Sequence, residues 1–130
     1  MTPKKARIIS NNTDIEDLVP SAFSVTFLPG AAARDVLTAA RDSIHLGAKL
    51  LAHPMAGRLR PNETPYLTVF LEERDGAPLD LPSLEIIEYC LAEDAKYEGA
   101  RKKYDEALLP DLRFISRELF ESTLQELDIR

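Results

Sequence analysis

The chain has 130 residues, of which 45% are hydrophobic and 29% charged, and it carries a net charge of −6. That composition excludes a disordered chain, and the acidic balance argues against nucleic-acid binding, because phosphate contact needs a basic face. No apolar run has the length of a membrane span or of a signal peptide behind Lys4-Lys5, so a cytoplasmic protein with no membrane partner is expected.

The length predicts a single α/β domain over residues 1–130, helical from about residue 80 onward. A chain of this size buries roughly two-thirds of its unfolded surface, so it needs no metal or disulfide to fold. Cys90 is the only cysteine, which excludes an intrachain disulfide. It sits within an apolar helical pattern and reads as a small core residue rather than a nucleophile.

In chain order, Arg7-Ile8-Ile9-Ser10 is a short β-branched run. Asn11-Asn12-Thr13-Asp14 ends it, and Asn12 or Thr13 can cap a short helix through Leu18. Residues 22–28 alternate Phe23, Val25 and Phe27 with smaller or polar residues, which is strand period. Pro29-Gly30 breaks that strand. Ala33, Val36, Leu37, Ala40 and Ile44 then fall on one helical face, and Gly47 is placed to cap the helix C-terminus. Residues 49–52 read as a short third strand. Residues 66–72 are β-branched and aromatic and read as a fourth. Asp80 is placed to cap a long helix with an apolar face of Leu84, Ile87, Leu91 and Tyr97. A last helix begins near Pro110, with Leu112, Ile115, Leu119 and Leu127 as its inward residues.

The order predicts a small three-layer αβα, Rossmann-like sheet of about four strands, mostly parallel, with a C-terminal helical pair. Ligands in such sheets sit at the carboxyl ends of the strands. Those ends are Asn11-Asn12, Pro29-Gly30 and His53-Pro54. The connection from His53 to Pro65 has no helical pattern, so an antiparallel fourth strand is the simpler choice. Asn62, Glu63 and Thr64 then arrive at the same edge.

This connection is the candidate site. Pro54, Pro61 and Pro65 stiffen it. Lys49, Arg58 and Arg60 outnumber the single acidic residue Glu63, so the segment is locally basic and suits a small anionic metabolite. The expected ligand-binding set is Asn11, Asn12, His53, Arg60, Asn62, Glu63, Thr64 and Tyr66. His53 with Glu63 is the weaker, catalytic alternative, as acid and base. Each has a plainer reading: asparagines cap helices, arginines are solvated, and a histidine bonds to its own loop. His45, His53 and Cys90 do not form a metal set, and the glycines match no phosphate-binding spacing, so no metal or cofactor is expected. A third alternative is an interaction module whose C-terminal helices meet a protein partner or a second copy.

Four segments together resemble the GrdX family. They are Ile8-Ile9-Ser10-Asn11-Asn12, His45 to His53-Pro54, Gly57 with Arg60-Pro61-Asn62-Glu63-Thr64-Pro65-Tyr66, and Leu79 to Glu88. The resemblance covers about residues 7–90. The family consists of small proteins associated with glycine, sarcosine and betaine reductase gene clusters. The resemblance implies an accessory role near that metabolism rather than the reduction itself. A single Cys90 cannot act as the dithiol pair that redox chemistry would need.

Overall fold

A computed structural model describes residues 6–55, 64–98 and 106–127. The elements run β1 (Ala6–Ser10), a 3-10 turn (Thr13–Leu18), β2 (Phe23–Phe27), α1 (Ala33–His45), β3 (Lys49–Leu50), β4 (Thr68–Glu72), α2 (Leu81–Glu98) and α3 (Leu109–Glu126). The short 3-10 helix Glu106–Leu108 leads directly into α3.

The four strands form one sheet in the order β2-β1-β4-β3. β1 and β2 are parallel, whereas β4 is antiparallel to both β1 and β3. The expectation of a mostly parallel sheet is therefore corrected to a mixed one. The physical reason lies in the connections. A parallel neighbour needs a long crossover, usually a helix. α1 provides one between β2 and β3, and nothing of that pattern stands between β3 and β4. β4 therefore runs back through the centre, as its connection suggested. A Rossmann-like order is not carried by a sheet whose inner strand is reversed; the broader reading, an α/β sheet with helices packed on it, holds.

Strand alternation sends side chains to two cores. Ile9, Val69, Leu71 and Leu50 face α1 and α2, where Val36, Leu37, Ala40, Ile44, Ile87 and Cys90 meet them. Ile8, Phe70 and Ala6 face the other way, onto Ile15 of the 3-10 turn and onto Phe120 and Leu124 of α3. The rings of Phe70 and Phe120 are stacked with centroids 5.2 Å apart. α2 and α3 thus belong to opposite cores, and the expected C-terminal helical pair is corrected: α2 packs against α1.

The caps follow the sequence closely. Asn12 accepts a hydrogen bond from the Asp14 N–H and opens the 3-10 turn. Asp80 accepts from the Ser83 N–H at the start of α2. Gly47 closes α1 in a Schellman motif: its N–H donates to Ile44 O and the Ala48 N–H donates to Ser43 O. Gly47 has φ 111°, and a Cβ there would lie 2.5 Å from Arg74 O. Arg74 in turn donates to Gly47 O at 3.0 Å. Gly47→Ala should therefore destabilise by about 1–3 kcal/mol through strain and clash. Urea unfolding should show a lower midpoint with an unchanged slope.

Candidate functional site

The strand ends meet as the reversed β4 requires. Asn11 closes β1, Pro29-Gly30 follow β2, His53-Pro54 follow β3, and Thr64–Leu67 lead into β4. Asn11 holds the first, second and fourth of these together. Its amide donates to Ala31 O at 2.9 Å and to Pro65 O at 2.7 Å, and its carbonyl accepts from the Leu67 N–H at 2.8 Å. Asn12 is fully buried and donates to Arg113 O at 3.1 Å while capping the 3-10 turn. Both asparagine side chains are thus taken up by backbone. Thr68 continues this polar seam by sharing a 2.8 Å hydrogen bond with the Ser10 hydroxyl.

His53 is exposed, and its Nδ1 accepts from the Met55 N–H at 3.0 Å. The neutral ring then carries its proton on Nε2. The plainer reading of this histidine, a bond within its own loop, is what the structure has. Thr64 accepts from the Tyr66 N–H at 3.2 Å. Arg60, Asn62 and Glu63, named above as site residues, lie outside the described residues, as does Arg58.

Between the β3–β4 connection and α3 is a cavity of about 170 Å³. Ala52, His53, Pro54 and Met55 line it from the end of β3, and Thr64, Tyr66, Leu67 and Thr68 from the approach to β4. Phe70 and Phe120 make an aromatic floor, while Ser116, Thr123 and Glu126 project from α3. The cavity brings together three of the residues singled out in the sequence, His53, Thr64 and Tyr66. It leaves Asn11 and Asn12 beside it as supports. Asn11 borders a second, shallower crevice on the far side of Tyr66, with Asp14, Gly30 and Arg113.

Sequence periodicity placed the α3 wall only in part: Leu119 lines the cavity and Leu127 packs against the second core, but the buried centre lies elsewhere. The inward stripe of α3 is Ser116, Phe120 and Leu124, and Ile115, expected inside, is 39% exposed. Leu112 and Leu119 are half-buried. The true stripe contains a serine, which hides it from a search for apolar spacing. The available signal was the 116–120–124 spacing itself, with Arg113 one turn before it.

Arg113 fixes the cavity's tyrosine. Its guanidinium donates to the Tyr66 hydroxyl and to Asp14, each at 3.0 Å. One turn later Arg117 pairs with Asp17, donating through Nη2 at 2.9 Å, while its Nη1 donates to Asp14 O at 2.7 Å. These contacts pin the start of α3 to the 3-10 turn. The hydrogen bond from Arg117 holds the Asp17 carboxyl below its ordinary pKa. Burial pushes the Cys90 thiol up to about 11, with Glu93 adding to the effect. It remains a protonated core thiol at neutral pH, as its sequence context indicated. Among the described residues, no group of three or more His, Cys, Asp or Glu could hold a metal ion, and no helix is long and apolar enough to cross a membrane.

A family model described as GrdX-like protein matches residues 7–125. The chain belongs to the GrdX-like family. The match extends the resemblance well past residue 90, into α3 and its cavity wall. No curated protein and no solved structure matches the chain.

Two outcomes are expected. Asn11→Ala removes three hydrogen bonds that join strand ends and should cost about 2–4 kcal/mol. Asn11→Asp should cost as much, because it turns a carboxylate toward two carbonyl oxygens; chemical denaturation measures both. Asp17 has a depressed folded pKa, so its contribution is present above the ordinary carboxylate range and lost as pH falls through the folded value. Asp17→Asn should flatten the acid side of the stability–pH profile. The effect should be small, because the carboxylate is exposed and screened.

Proposed function

We propose that this GrdX-like protein is a non-catalytic accessory protein of glycine, sarcosine and betaine reductase systems, and that it binds a small anionic metabolite at the β3–β4 connection. One observation carries the reading: the cavity beside that connection, which gathers His53, Thr64 and Tyr66 with the buried face of α3. Small-molecule sites are concave, mostly apolar and furnished with a few polar groups, and this cavity has that make-up. The anionic preference rests on the basic residues of the connection, Arg58 and Arg60, in the sequence. Family membership supports the accessory role through the gene clusters with which the family is associated.

The cytoplasmic location belongs to the same proposal, as does a protein partner or a second copy of the chain. Catalysis by His53 and Glu63 is the weaker reading. The imidazole already uses Nδ1 on its own loop, leaving only Nε2 for a substrate.

A thermal-shift screen of the purified protein tests the proposal, with glycine, sarcosine, betaine, acetyl phosphate and common nucleotides as the panel. A true ligand at about 100 times its Kd stabilises by about 2.7 kcal/mol and should raise Tm by several degrees. The shift should vanish in His53→Ala, and in Ala52→Phe, which crowds the cavity, while circular dichroism shows both variants folded. An undiminished shift in both would place the ligand elsewhere. No shift with any compound would remove the ligand-binding half of the proposal.

A further inference from the structure

Ser116 occupies the middle of the inward stripe of α3, between the polar contacts of Arg113 and the apolar anchors Phe120 and Leu124. A position of this kind, facing a sheet, ordinarily carries a large apolar side chain that fills the space below it. Here it carries a small one, and the volume it does not fill forms part of the cavity wall. Ser116 is only 8% exposed, and its hydroxyl has no hydrogen-bond partner among the described residues. Of the other described hydroxyls in the lining, Ser122 is exposed to water and the rest are bonded. Thr68 bonds to Ser10, Thr123 donates to Leu119 O, Thr64 accepts from the Tyr66 N–H, and the Tyr66 hydroxyl accepts from Arg113.

A buried hydroxyl without a partner is costly, and its cost is relieved by whatever brings it one. Its surroundings say what that partner is attached to. The Phe70–Phe120 stack, Leu67, Leu119 and Met55 offer only apolar contact. The exposed lining residues are His53, Ser122 and Glu126. A cavity of about 170 Å³ is close to the size of an engineered apolar cavity, about 150 Å³, that takes up benzene.

From this we infer that the cavity selects a compact, ring-sized molecule with an apolar body, which lies on the Phe70–Phe120 floor and hydrogen-bonds to Ser116 through a single polar group. Ser116 is then the specificity-determining residue of the site. The inference rests on the ligand-binding reading above and narrows it: any anionic group of the ligand points outward to solvent, and its buried end is neutral.

Phenol and toluene test this, because they share a ring and differ by one hydroxyl. Binding is followed by amide chemical shifts of labelled full-length protein. Phenol should bind more tightly than toluene and perturb the amides of α3 around Ser116. Ser116→Ala should weaken phenol about tenfold, the worth of one buried hydrogen bond, and leave toluene unchanged. Ser116→Leu should fill the space, raise Tm and abolish binding of both probes. Equal binding of phenol by wild type and Ser116→Ala would overturn the inference, as would a Ser116→Leu protein that still binds toluene. Failure of both probes in a protein that does bind a member of the metabolite panel would overturn this inference alone. Failure of probes and panel together would overturn the ligand-binding reading with it.

Discussion

The arrangement depends on one side chain, the carboxamide of Asn11. It has two donors and one acceptor in use, and each serves a different backbone group: Ala31 O after β2, Pro65 O and the Leu67 N–H before β4. Pro65 cannot donate, and the chain around Pro29-Gly30 forms no ladder, so backbone alone leaves these groups unpaired. A buried amide resolves that accounting at a point where two parallel strands meet a reversed third. An aspartate could not do it, because two of the three partners are carbonyl oxygens. The asparagine thereby sets where β4 enters the sheet and which residues stand at its edge.

Once β4 runs antiparallel between β1 and β3, the rest of the architecture is constrained. The alternation of Val69, Phe70 and Leu71 assigns two to the α1–α2 core and one to the α3 core. Phe70 is thus the residue that the central strand gives to α3, and Phe120 stacks on it. The start of α3 is held separately, by Arg113 and Arg117 on the 3-10 turn. Exposed ion pairs of this kind contribute little to stability. They accompany a rotation of α3, anchored by buried Phe120 and Leu124, that turns Ser116 inward and Ile115 outward.

That rotation connects packing to the cavity. Had Ile115 faced the sheet, the space between β4 and α3 would be filled and apolar. With Ser116 there instead, a cavity remains beneath the connection from β3 to β4, with a buried hydroxyl in its wall. Tyr66 forms part of the same wall and is held by Arg113, so the fixation of α3 and the shape of the cavity share one guanidinium. The cavity and the closure of the second core are therefore two aspects of one helix placement.

Much of this was legible in the chain itself, because local chemistry decides it. The strand and helix sequence, the caps at Asn12, Gly47 and Asp80 and the burial of Cys90 all follow from short-range periodicity and turn chemistry, and the lack of a helical pattern after His53 favoured a reversed β4 without deciding it. Tertiary structure decided what depends on partners distant in sequence. The mixed sheet depends on β4 pairing between β1 and β3, and strand neighbours are not encoded in the strand. The separation of α2 from α3 depends on which face each reaches. The inward face of α3 depends on the core it meets, Ile8, Ile15 and Phe70, about fifty to a hundred residues earlier, and no helical stripe read on its own contains that information.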